Sequence, residues 1–226
     1  MSFPDIFYNH SMNCAPILGT TFKAENVCRI SFAQDNVVLK NFDVQHYEGL
    51  QTYLDSCLMA QKATIAMGGY LEHRLLYQTS PHFESSEESR CIHLGIDLWA
   101  AVGTPIFAPL DGIVHSFKYN DKVLDYGATI ILAHELDGKV FYCLYGHLSK
   151  ASLKGLTKGK MIKKGTNFAE MGARDENGGW VPHLHFQVIL DMLNMEGDFV
   201  GVVSKKEAVR YQRICPDPQP LIVFTD

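Results

Sequence analysis

Residues 103–148 read GTPIFAPLDGIVHSFKYNDKVLDYGATIILAHELDGKVFYCLYGHL. Short apolar runs alternate here with turns built on Gly, Pro and Asp. The runs at 104–108, 112–117, 128–134 and 140–145 are each a strand's length, and 167–171 and 184–190 repeat the pattern farther along. Short strands at this spacing argue for an antiparallel sheet or sandwich, not for alternating β-α units. The predicted fold is therefore mainly β, and α+β once the flanking segments are counted.

Upstream the character differs. Residues 1 to about 40 predict short strands and turns, with strand-like runs at 26–32 and 36–39. Asp43 stands where a helix N-cap would sit. Val44, Tyr47, Leu50, Leu54, Cys57 and Leu58 then recur mostly every three or four positions, one apolar helical face ending near Lys62. Residues 78–90 (QTSPHFESSEESR) are polar, Ser-rich and acidic, which predicts an exposed linker. Downstream, Ser204 and Glu207 form a capping-box pattern that opens a helix to about Ile214, and a Pro-rich tail follows. The expected organisation is an N-terminal extension of short strands plus one helix (1–85), a β domain (86–200), and a C-terminal helix and tail (201–226). The lysine-rich stretch 156–165 is similar to the hairpin of lipoyl-type folds, but is read as a plain turn with solvated lysines.

Composition excludes several functions. Of 226 residues, 46% are hydrophobic and 20% charged, enough for a packed core. The net charge is −5 with no Lys/Arg-rich block, so nucleic acid is not an expected partner. No run of about 18 apolar residues occurs, so no membrane span is expected. Asp5 and His10 interrupt any secretory-type apolar run, and no Lys or Arg precedes Lys23, so the expected location is cytoplasmic, with export by another route as the alternative. The six cysteines form no CxxC pair, and free buried thiols are expected.

The chemistry concentrates in three places: His93-Leu94-Gly95-Ile96-Asp97, His147 after a strand, and His183-Leu184-His185. Residues two apart on a strand share a face, so His183 and His185 project together. Two adjacent imidazoles need partners or a metal. His93 and Asp97 would share a face on a helix, while Gly95 favours a loop entering a strand equally well. Two histidines and one aspartate make an N₂O donor set that suits zinc, and other divalent metals as well. Solitary His115 and His134 are read as structural or exposed, and Asp111 as a turn residue. Trp99, Trp180 and Tyr145 are read as core, with groove lining as the alternative.

The order HxxxD, a strand ending in Gly146-His147, then Pro182-His183-Leu184-His185-Phe186-Gln187 resembles the lysostaphin/LytM-type zinc metallopeptidases. The match continues through Gly103-Thr104-Pro105-Ile106 and Ala108–Val114 and covers roughly 91–190. By position, the resemblance implies a Zn²⁺ held by His93, Asp97 and His185, with His147 and His183 as unliganded catalytic histidines. It implies a lysostaphin-like antiparallel β domain with its site in a groove on one sheet. The implied activity is peptide or amide hydrolysis, on a peptide or a peptidoglycan stem peptide. Residues 1–85 lie outside the match. They are expected to be an extra subdomain shaping the cleft, or else a pro-segment offering His73 or His82 to the metal. Two rival readings stand beside this one. A histidine phosphocarrier-like domain would share the strings around His93 and Asp111, in reversed order. A non-catalytic activator relative would lack the ligands that are intact here.

Overall fold

The computed structural model describes residues 3–19, 23–74, 84–85 and 88–224. In chain order the elements are α1 (Phe3–His10), β1 (Val27–Arg29), α2 (Tyr47–Gln61), β2 (Ile65–Gly68), β3 (Glu84–Ser85), β4 (Glu88–Ser89), β5 (Ile92–His93), β6 (Ile96–Trp99) and β7 (Pro105–Phe107). They continue with β8 (Gly112–Asn120), β9 (Gly127–Leu136), β10 (Lys139–Leu148), β11 (Met161–Ile162), β12 (Asn167–Glu170), β13 (His183–Ile189), β14 (Val202–Val203) and α3 (Lys205–Ile214).

An eight-stranded sheet in the order β1-β2-β6-β13-β10-β9-β8-β11 organises these pieces. Its pairs are antiparallel except β1–β2, which is parallel. The strands at its centre are buried on both faces, which is why they read as nearly continuous apolar runs. Alternation still sorts their side chains. Leu184, Phe186 and Val188 of β13 join Ile130, Leu132, Phe141, Cys143 and Tyr145 in the main core. Ile131, Leu144 and Ile189 face the other way, against Leu94, Phe199, Tyr211 and Cys215. His183, His185 and Gln187 alternate with the core-facing residues of β13, so they lie on this second face.

The N-terminal segment is built onto the same sheet. β2 pairs with β6, setting Gly68 opposite Asp97. α2 packs Leu50, Tyr53 and Leu54 with Phe32, Ala66 and Trp99 in a third cluster.

Several expectations are corrected. Residues 3–10 form a helix, α1, because Phe3 and Phe7, four apart, pack together on Phe141. Residues 37–41 form a 3₁₀ turn in place of a strand, because the Asn36 side chain accepts the Val38 N–H at 3.1 Å. α2 starts at Tyr47, not after Asp43. Asp43 uses its carboxylate on His46 Nδ1 (2.9 Å) and its carbonyl on the His46 N–H (3.1 Å), which makes a turn before the helix. Helix α3 begins after Ser204 as expected, but the Ser204 hydroxyl pairs with the Glu207 carboxylate at 3.3 Å and not with a backbone N–H. The tail holds a short 3₁₀ turn at Gln219–Leu221, with Pro220 and Leu221 buried. Cys14, Cys28, Cys57, Cys143 and Cys215 are free thiols, and all six cysteines but Cys57 are buried. Much of the linker expected at 78–90, and His82 within it, lies outside the described residues. No helix among the described residues is long and apolar enough to cross a membrane.

Candidate metal centre

Strand register brings the distant patterns together. β6 and β13 pair antiparallel, with Asp97 directly opposite His185 and Trp99 opposite His183. Directly opposed residues project to the same face. His93 ends β5, Leu94 and Gly95 make a bend, and β6 begins at Ile96, so HxxxD is strand, bend and strand rather than a helical turn. Glycine is required at 95, because a Cβ there would stand 2.7 Å from His185 Cε1.

His93 Nε2 lies 2.9 Å from His185 Nδ1, His185 Nδ1 lies 3.1 Å from Asp97 Oδ1, and His93 Nε2 lies 3.3 Å from that same oxygen. All three side chains are buried. Their outer bonds fix where the protons sit. His93 Nδ1 lies 2.9 Å from the Gly69 carbonyl, which can only accept, so Nδ1 carries the proton. Gln187 donates its amide to the Val200 carbonyl and to Cys215 Sγ, so its Oε1 faces His185 Nε2 (2.9 Å) as an acceptor. Nε2 of His185 is thus the donor to Gln187, and the neutral form of the ring has its lone pair on Nδ1. Burial above all, with the Arg74 charge adding to it, pushes His93 down to about 4, so its ring is neutral at pH 7. Burial alone would raise Asp97, but His93 and Arg74 outweigh it and hold the carboxyl well below its ordinary range.

In their neutral forms His93 and His185 thus turn two nitrogen lone pairs toward one carboxylate oxygen. A cation between the three atoms would satisfy all of them. Two atoms at about 2.0–2.1 Å from one tetrahedral zinc would lie about 3.3–3.4 Å apart, close to the observed spacing. The donor set fits a zinc ion. His73, one of the proposed extra ligands, is outside this group; it bridges to Ile92 instead.

His147 and His183 flank the trio. The β10–β9 register shifts between Tyr145 and Leu148, which swings His147 out of the ladder into a left-handed conformation with φ of 62°. A non-glycine residue held there stores strain that its surroundings must hold. Here the His147 N–H bonds Tyr126 O (2.7 Å), and its carbonyl accepts from the Gly172 N–H (2.9 Å). Nδ1 of His147 faces the Asn177 carbonyl (2.8 Å), and Nδ1 of His183 faces the Val181 carbonyl (2.7 Å). Each ring therefore keeps an Nε2 lone pair. The ring centroids are 4.1 Å apart, and His183 Nε2 is 3.9 Å from Asp97 Oδ1. Burial first, then its histidine neighbours, holds His147 well below the ordinary imidazole value; burial likewise lowers His183.

The five residues line a cleft of about 330 Å³, with Trp180, Leu124, Met195 and Phe199 among its walls. Trp99 also lines it and stacks on His183 at 5.5 Å, whereas Tyr145 lies in the core against Phe168 and Phe186. Three participants were not singled out by sequence. Tyr126 places its hydroxyl 3.5 Å from His185 Nε2. Asn177 holds His147. Arg74 holds Asp97 Oδ2 at 2.6 Å. Each acts through a contact between distant segments, which leaves no mark in a local pattern.

Residues 91–196 match the family model described as peptidase family M23. The chain is 35% identical over 95 residues to an uncharacterized metalloprotease of Haemophilus influenzae, covering 42% of this chain and 18% of that protein. It is 30% identical over 99 residues to the peptidoglycan DD-endopeptidase ShyC of Vibrio cholerae, covering 44% and 20%. It thus spans about a fifth of the length of each. Among solved structures, a zinc-containing peptidase from Vibrio cholerae aligns with 28% identity and a TM-score of 0.36, covering 48% of this chain and 31% of that one. The catalytic domain of lysostaphin from Staphylococcus simulans aligns with 23% identity and a TM-score of 0.42, covering 67% and 98%. The mainly β region from residue 91 to 196 is a peptidase family M23 domain.

Proposed function

We propose that this chain is a zinc-dependent endopeptidase that hydrolyses a peptide or amide bond in peptidoglycan cross-links. The observation that carries the reading is the convergence of His93 Nε2, His185 Nδ1 and Asp97 Oδ1, with the far nitrogen of each ring held by an outer partner. The relative named as a peptidoglycan endopeptidase supports the substrate class.

His93, Asp97 and His185 would hold the ion. Once bound, it supplies Lewis acidity, making a water molecule nucleophilic near neutral pH and polarising the scissile carbonyl. The protein's own groups manage the protons. His147 and His183 are neutral and present Nε2 lone pairs in the cleft, so one accepts the proton from the attacking water. The imidazolium so formed then donates it to the leaving amine. The Tyr126 hydroxyl stands beside His185 as a donor for charge developing on the carbonyl oxygen. Trp180 and the apolar wall shield these exchanges from bulk water.

The test is digestion of purified peptidoglycan by the zinc-loaded full chain, with fragments resolved by mass spectrometry. New amino termini within cross-links, absent when a chelator is added, are the expected result. Intact cross-links with one zinc bound per chain would remove peptidoglycan from the reading.

A further inference from the structure

The M23 match begins at residue 91, yet two of the groups that orient the metal site come from before it. The Gly69 carbonyl fixes the His93 tautomer. Arg74 takes the second oxygen of Asp97.

Arg74 is 2% exposed. Its Nη1 donates to Asp97 Oδ2 at 2.6 Å, and its Nε donates to Glu72 Oε2 at 2.7 Å. Glu72 is anchored in turn. Its Oε1 accepts the Ser31 hydroxyl at 2.7 Å and the Phe32 N–H at 2.9 Å. The guanidinium lies 5.5 Å from the centre of the Phe32 ring and 6.0 Å from that of Trp99. The backbone carrying it is tied beside β5: Arg74 N–H to Cys91 O (2.8 Å), His93 N–H to Glu72 O (3.0 Å) and Leu71 N–H to His93 O (2.8 Å).

The effect on Asp97 is to divide its carboxylate. Oδ2 is spent on the guanidinium, and Oδ1 faces the two bare imidazole nitrogens. A carboxylate free to turn could offer both oxygens to one ion and crowd the position a water needs.

We propose that Arg74 is a positioning residue, supplied by the N-terminal segment, that restricts Asp97 to one-oxygen coordination of the metal. The N-terminal segment is then an integral part of the metal centre. This rests on the metal reading above, and its test separates the two.

The full chain and its Arg74→Met, Arg74→Lys and Glu72→Gln variants are loaded with Co²⁺, and the visible ligand-field spectrum and the affinity against a chromophoric chelator are measured. Wild type binds one Co²⁺ with the intense bands of a four-coordinate site. Arg74→Met, folded by circular dichroism, binds about 10–100-fold more weakly, as loss of an outer partner of a ligand does. Its bands weaken as Asp97 swings to two-oxygen binding and the coordination number rises. Arg74→Lys, which keeps the charge but cannot reach both carboxylates in a fixed fork, falls between the two. If Arg74→Met does not fold, Glu72→Gln decides, since it frees the guanidinium while leaving its charge; a several-fold weaker affinity with the same spectral change is expected. A folded Arg74→Met with wild-type affinity and spectrum, or failing that such a Glu72→Gln, would overturn the proposal. No Co²⁺ or Zn²⁺ binding by wild type would instead overturn the metal reading itself.

Discussion

At the scale of single residues, the two histidines of the HxH pair differ in what faces them. His185 Nδ1 points at His93 and Asp97, whereas His183 Nε2 lies 3.9 Å from Asp97 and its ring lies against His147 and Trp99. Removing them should separate binding from chemistry. His185→Ala is expected to emerge from gel filtration without zinc, because only one nitrogen and one carboxylate remain. His183→Ala is expected to keep one zinc per chain and to lose about 10²–10⁴-fold in turnover, the usual contribution of a general acid–base. Elemental analysis beside a peptidase assay checks both, and zinc retained by His185→Ala would refute the ligand assignment. The histidines and the aspartate were legible as a pattern, because strand periodicity and short spacings put them in view. Arg74, Tyr126 and Asn177 were not. Arg74 stands in YLEHRLLY, where nothing distinguishes a buried guanidinium from a surface one. Its burial follows from Glu72 and Asp97, the latter 23 positions away, closing on it in three dimensions.

At the scale of elements, β13 keeps stability and chemistry on opposite faces. Phe186 packs on Tyr145 in the main core while His183 and His185 face the cleft. Phe186→Ala should therefore destabilise the fold by about 3–5 kcal/mol, the range for a buried aromatic deletion. The fraction that remains folded should still bind one metal ion. Urea unfolding combined with metal titration checks this, and a metal-free folded fraction would show that the two faces are coupled. Helix α2 offers the opposite case. It ends on Lys62 at φ 51°, a left-handed cap that glycine fills without Cβ strain. Lys62→Gly should raise stability by about 0.5–1 kcal/mol in the same assay. Elements with strong periodicity, such as α2 and the long central strands, were legible to within a few residues. Two kinds of element were not. In α1, apolar residues of the N-terminal run pair with Phe141 from a distant strand. In the 3₁₀ turn after Asn36, a side-chain cap outweighs the β-branched residues that suggested a strand.

At the scale of the molecule, the buried histidines set how the fold answers to acid. His134 is 3% exposed; its Nδ1 donates to the Asp111 carbonyl at 2.9 Å, its ring stacks on Phe141, and its Nε2 has no partner among the described residues. Burial pushes its pKa down to about 4, against about 6.5 in the unfolded chain. Between those values the unfolded state binds a proton that the folded state refuses. Stability from this group is thus fully present above about pH 6.5 and is lost as pH falls toward 4. The slope for one such proton is at most about 1.4 kcal/mol per pH unit. His134 is remote from the metal residues, so its share can be isolated in metal-free protein. The unfolding free energy of the wild type should fall steadily from pH 6.5 to 4.5. A His134→Gln variant, which cannot take the proton and can still donate to Asp111, should fall less steeply by up to that amount. Parallel slopes for the two proteins would mean that His134 is protonated in the folded state as readily as in the unfolded one. The acid response would then belong to the other buried histidines, those of the cleft among them.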